Sequence, residues 1–191
     1  MSNTRQCAVL FADLRGSTAL YLKLGNSEAA TVVTHSLAML GQIIARNGGR
    51  VIKTLGDGLM AVFKDPERAV ESAASLQESL ERSAAVPGGL LGRETAIKLK
   101  TAVSWGEIVE VNNDCFGDAV NVSARILDLA GDNETLITDA LLTRSISRWA
   151  KEGFYIQHFD VAVARVDVAL YRDRGRGSRA LAGVRACWPR S

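Results

Sequence analysis

Apolar and polar positions along the chain follow two periods, and the switches between them mark the predicted elements. Cys7 to Ala12 (CAVLFA) is an unbroken apolar run, as expected of a strand buried on both faces. It ends at Asp13, which places that carboxylate where the strand emerges at the sheet edge. From Ser27 to Ala45 the residues Val32, Val33, Leu37, Leu40, Ile43 and Ile44 recur at helical spacing, and Asn47-Gly48-Gly49 supplies a stop. Arg50 to Leu55 and Leu59 to Phe63 read as two strands joined by Gly56-Asp57-Gly58. The glycines permit the positive φ of a tight turn, so Asp57 is displayed at a hairpin tip. A second helix is predicted from Glu67 to Ser83, after Pro66 and before the break at Pro87-Gly88-Gly89. Ile97 to Ser104 is another buried strand.

After the polar Asn112-Asn113-Asp114, the segment Gly117 to Ala130 has helical spacing in Val120, Ala124 and Leu127. A strand at Thr135 to Thr138, a helix near Asp139 to Trp149, and strands at Phe154 to Phe159 and Ala164 to Tyr171 complete the pattern. The core order, strand–helix–hairpin–helix–strand, predicts an α+β fold. It is a ferredoxin-like βαββαβ core with an antiparallel sheet, helices on one face, the other face free to pack elsewhere, and extra C-terminal helices and strands. That architecture hosts many unrelated functions and by itself selects none.

With 191 residues and 47% hydrophobic content, the chain supports one well-packed core. One domain is expected over residues 1–171. Residues 172–191 form an Arg/Gly-rich tail (Arg172, Arg174, Arg176, Arg179, Arg185, Arg190) that reads as a solvated, flexible segment or as a basic docking segment. Lys and Arg total 23 against 21 Asp and Glu, so net charge makes no case for a polyanion and no nucleic-acid partner is expected. Cys7, Cys115 and Cys187 are odd in number and have no metal-ligand spacing, which suits a reducing compartment. No stretch is apolar for long enough to span a bilayer, and the first residues lack signal-peptide features, so a cytoplasmic location is expected.

Chemistry enters with Asp13 and Asp57. In a ferredoxin-like sheet they belong to neighbouring central strands, so both carboxylates can reach one point. Such a pair repels itself unless a cation sits between the acids or one is protonated. Mg²⁺ accepts one or two carboxylates and takes its remaining ligands from water and phosphates. The turn Leu14-Arg15-Gly16-Ser17-Thr18 follows at once, and its N–H groups and hydroxyls can hold phosphate oxygens. Taken singly, each acid is also an ordinary strand-end or turn residue.

FADLRGST (Phe11 to Thr18), GGRVIKTLGDGLMAVF (Gly48 to Phe63) and DCFGDAVNVSAR (Asp114 to Arg125) resemble, in order, the three signature segments of class III adenylate and guanylate cyclases. The resemblance covers about residues 5 to 140. It implies two Mg²⁺ or Mn²⁺ ions held by Asp13, Asp57 and the Leu14 backbone carbonyl, with Gly16, Ser17 and Thr18 at the substrate. It also implies that Lys53 and Asp114 read adenine, where guanylate cyclases typically carry Glu and Cys, and so favours ATP. Asn121 and Arg125, one helical turn apart on one face, match the family's transition-state residues.

The implied activity is adenylate cyclisation of ATP to 3′,5′-cyclic AMP and pyrophosphate. Sites are shared across a homodimer, with a regulatory domain fused or separate. A catalytically silent nucleotide-binding or dimerisation module and a guanylate cyclase stay open as alternatives. The stretch Glu107 to Asn113 is shorter and more polar than the arm by which some family members wrap their partner. His35 and His158 are isolated and are not expected to bind metal.

Overall fold

In the computed structural model the first strand extends well beyond its apolar run. β1 spans Asn3–Arg15, so Asp13 lies inside the strand, two residues before its end, and not at the strand terminus expected from the sequence. The structure describes residues 3–85, 97–138, 140, 141, 144, 156–163 and 166–173. Two helices follow β1, α1 (Ser17–Leu24) and α2 (Asn26–Arg46), then the hairpin of β2 (Arg50–Leu55) and β3 (Gly58–Phe63), and then α3 (Pro66–Ala85). Next come β4 (Lys98–Val111), β5 (Asp114–Phe116), α4 (Asp118–Leu129), β6 (Glu134–Thr138), β7 (Ile156–Val163) and β8 (Val166–Asp173).

The strands pair in the order β2-β3-β1-β4-β6-β8-β7, with β5 on β4. Its first four members have the ferredoxin-like order, and the β4–β6 contact is parallel while the others are antiparallel. β1 is apolar throughout its middle because both of its faces are covered. Ala8, Leu10, Ala12 and Leu14 join the core beneath α2 and α3. Cys7, Val9 and Phe11 point the other way, into a cluster with Ala119 of α4. The face expected to be free is therefore partly covered by α4. Ser123 locks that helix down by donating to the Val9 carbonyl at 2.8 Å, and Ser104 of β4 donates to the Ala119 carbonyl at 2.7 Å.

β4 also outruns the strand expected from Ile97 to Ser104, running on to Val111 and taking in Glu107 and Glu110. The polar Asn112-Asn113 is a two-residue hairpin turn, with φ of 51° and 63°, that returns the chain as β5. Positive φ at both central positions matches the right-handed twist of the strands, and Asn tolerates it. Of the expected helix near Asp139 to Trp149, only Ala140, Leu141 and Arg144 are among the described residues, and all three are helical. Residues 174–191, with most of the expected tail and Cys187, lie outside them. No helix among the described residues is long and apolar enough to cross a membrane.

Candidate active site

Asp13 is held by two ladders at once, in register with Gly58 of β3 and Lys100 of β4. Cross-strand partners share a face, so Lys100 reaches the same carboxylate, with Nζ 3.2 Å from Asp13 Oδ2. Gly58 is required for this approach, because a Cβ there would lie 2.8 Å from the Ala12 carbonyl oxygen and 3.0 Å from Asp13 Oδ1. The hairpin tip is fixed from the other side. Leu14 N–H donates to the Asp57 carbonyl at 3.2 Å, and the Ser17 hydroxyl donates to Asp57 Oδ2 at 2.5 Å.

Burial pushes the Asp13 carboxyl above the usual carboxylate range; the Lys100 hydrogen bond opposes this and the neighbouring charge of Asp57 adds to it. Both acids line a cleft of about 590 Å³ together with Leu14, Arg15, Gly16, Ser17, Thr18, Lys98 and Asp132. Gly16, at φ 90°, turns the chain into α1 without a side-chain cap, so the first N–H groups of that helix remain available at the cleft. Among the described residues no three His, Cys, Asp or Glu cluster as a metal cage. The donor set is two converging carboxylates whose combined charge Lys100 offsets only in part. That fits hard divalent ions that take further ligands from water and phosphate.

Lys53 and Asp114 meet elsewhere. Lys53 follows an irregularity in β2, where the register shifts between Val51 and Lys53 and re-aims the side chain. Its Nζ donates to Asp114 Oδ2 at 2.7 Å, and Cys115 N–H donates to Asp114 Oδ1 at 2.8 Å. The Lys53 hydrogen bond, then the one from Cys115, holds the Asp114 carboxyl below its ordinary value. Asn121 and Arg125 are exposed on α4, displayed outward by the buried Ala119, Ser123 and Ile126 on its opposite face. None of these four residues lines the cleft of Asp13 and Asp57.

Lys100 and the rim residues Lys98 and Asp132 were not singled out by sequence reasoning, and Arg15 entered it only as a member of the turn that can hold phosphate oxygens. For Lys98 and Lys100 the signal was alternation in KLKT, two lysines on one face of a strand.

A model of the adenylate and guanylate cyclase catalytic domain matches residues 1–165. The chain belongs to that family. The cyclase domain is 31% identical over 144 residues, 75% of its length, to an adenylate cyclase of Glutamicibacter nicotianae. It is 34% identical over 137 residues, 72% of its length, to putative adenylate cyclase 3 of Rhizobium meliloti. It spans only 33% of the first relative and 23% of the second. Among solved structures it resembles the adenylyl cyclase CyaB of P. aeruginosa (TM-score 0.74, 18% identity, 96% of this chain and 100% of that one). It also resembles the guanylyl cyclase Cya2 (TM-score 0.75, 20% identity, 92% and 95%). These likenesses show that the domain has the cyclase catalytic fold.

Proposed function

We propose that the cyclase domain converts ATP to 3′,5′-cyclic AMP and pyrophosphate in sites shared across a homodimer. The observation that carries this reading is the meeting of Asp13 and Asp57 at a cleft beside the uncapped start of α1. The ribose 3′-hydroxyl gives up its proton to water as its oxygen forms a bond to the α-phosphorus, the bond from that phosphorus to the β-phosphate oxygen breaks, and pyrophosphate leaves. Asp13, Asp57 and the Leu14 carbonyl are the groups that would hold two Mg²⁺ or Mn²⁺ ions, which supply positive charge at the attacking and departing oxygens.

The chain's own groups do the rest. The N–H groups of Gly16, Ser17 and Thr18 bind phosphate oxygens at the positive end of α1. Lys100 keeps Asp13 oriented and offsets its charge. A second copy supplies Asn121 to position the ribose and Arg125 to compensate charge growing on the α-phosphoryl group. Separation of these residues from the cleft within one chain supports sharing, and a two-fold dimer makes two equivalent sites. Lys53 donates and Asp114 accepts, which suits the adenine edge and leaves guanine with unpaired polar groups.

The matched segment makes up 33% and 23% of those two relatives, which supports a regulatory region, fused or separate, acting on this domain.

The test is product formation from ATP and from GTP by the purified chain with Mg²⁺ or Mn²⁺, beside Asp57→Ala. Cyclic AMP is expected, falling by on the order of 10³-fold or more in the variant, because several kcal/mol of charge compensation is lost. Preference for GTP would overturn the reading of Lys53 and Asp114. ATP binding without product would leave a nucleotide-binding module.

A further inference from the structure

Arg15 and Lys98 form the outermost cross-strand pair of β1 and β4, directly opposite each other, and both line the cleft. Like charges in that relation repel. Residues two apart on a strand share a face, so this pair sits one row outward from Asp13 and Lys100. Lys100 has Asp13 as its counter-ion. Lys98, half-buried, has no ion-pair partner among the described residues. Arg15 has Asp132, whose Oδ1 lies 3.6 Å from Arg15 Nε, with side chains 52% and 61% exposed. So exposed a pair contributes little and is easily exchanged. Two cations against one loosely held carboxylate leave positive charge on the rim, one row beyond the acids and the start of α1, where a chain of phosphates would extend.

We infer that Arg15 and Lys98 bind the terminal phosphates of the nucleotide, and that Asp132 competes with those phosphates for Arg15. This rests on the nucleotide reading above. Without a bound nucleotide Asp132 retains Arg15, and an entering polyphosphate displaces it. Apparent affinity is lowered by the fraction of Arg15 engaged with Asp132, a cost that falls on pyrophosphate as on ATP and favours product release.

The test is a calorimetric titration of the full chain with inorganic tripolyphosphate in Mg²⁺, using the native protein, Arg15→Gln, Asp132→Asn and the double variant. Arg15→Gln is expected to weaken binding about tenfold, the scale of a charge-assisted hydrogen bond. Asp132→Asn is expected to tighten it about threefold, the scale of an exposed ion pair. In the Arg15→Gln background Asp132→Asn should change nothing. Unchanged affinity in Asp132→Asn overturns the inference, as does equal tightening with and without Arg15, which would make Asp132 a diffuse charge. Equal unfolding midpoints for all four proteins show that folding is not the cause. Because binding is read without turnover, the two readings separate. Coupling without cyclic AMP retains the phosphate subsite and removes the cyclase reading; cyclic AMP without coupling does the reverse.

Discussion

The two halves of the candidate site are built differently. At the cleft, each acid is fixed by its own chain: Asp13 by two strand ladders and Lys100, Asp57 by the Ser17 hydroxyl and the Leu14 N–H. On the α4 side, Asn121 and Arg125 stand exposed, while Lys53 and Asp114 satisfy each other. The first half is preorganised by backbone geometry. On the proposed function, the second has donors and acceptors that must be redirected or covered before they act on a substrate. A single chain, on that reading, holds an ordered charge site and a base-reading pair that is still bonded to itself.

The largest effect that sharpens this contrast belongs to the exposed half. Arg125→Ala and Asn121→Ala should each lower kcat by on the order of 10²- to 10³-fold with little change in KM, the signature of a group that acts in the transition state. Because both side chains are exposed, the unfolding midpoint should stay put, which a thermal melt checks. The cleft half should behave oppositely. Gly58→Ala introduces a Cβ against the Ala12 carbonyl and Asp13 Oδ1, so activity and stability should fall together, stability by about 1–3 kcal/mol as for an overpacked core. Activity with an unchanged melt in Gly58→Ala would break the comparison.

The smallest effect concerns pH. Burial pushes the Cys7 thiol up to about 11 from about 9, so the folded state keeps it neutral where the unfolded chain ionises it. Its contribution is fully present below about pH 9 and is lost as pH rises towards about 11. Denaturant unfolding at about pH 8 and about pH 10.5 should show a loss that is smaller in Cys7→Ala. An equal loss in both proteins would assign the alkaline limb to other groups.

Central elements were legible in the sequence because burial on two faces leaves a continuous apolar run, as in Cys7 to Ala12, and a 3.6-residue period marks α2 and α3 to within about two residues. Strand ends were not. Arg5, Gln6, Glu107 and Glu110 continue β1 and β4 through ladder hydrogen bonds that owe nothing to hydrophobic pattern. The turn at Asn112-Asn113 resembled a loop, since its strand β5 has only three residues. Asp13 and Asp57 were visible as acids at a strand and a hairpin, and their neighbourhood in space followed from the strand order. Lys100 escaped because its meaning depends on register: only opposite Asp13 does a lysine in KLKT become part of the site.

The most direct test of sharing mixes two inactive chains. Asp57→Ala damages the cleft half of a site and Asn121→Ala the α4 half, so a mixed dimer contains one site with both halves intact. Equal amounts of the two variants should recover about a quarter of native cyclic AMP formation, since random pairing puts half the chains in mixed dimers with one good site of two. Activity no greater than the sum of the separate variants, in samples where mixed dimers are demonstrated, would contradict shared sites.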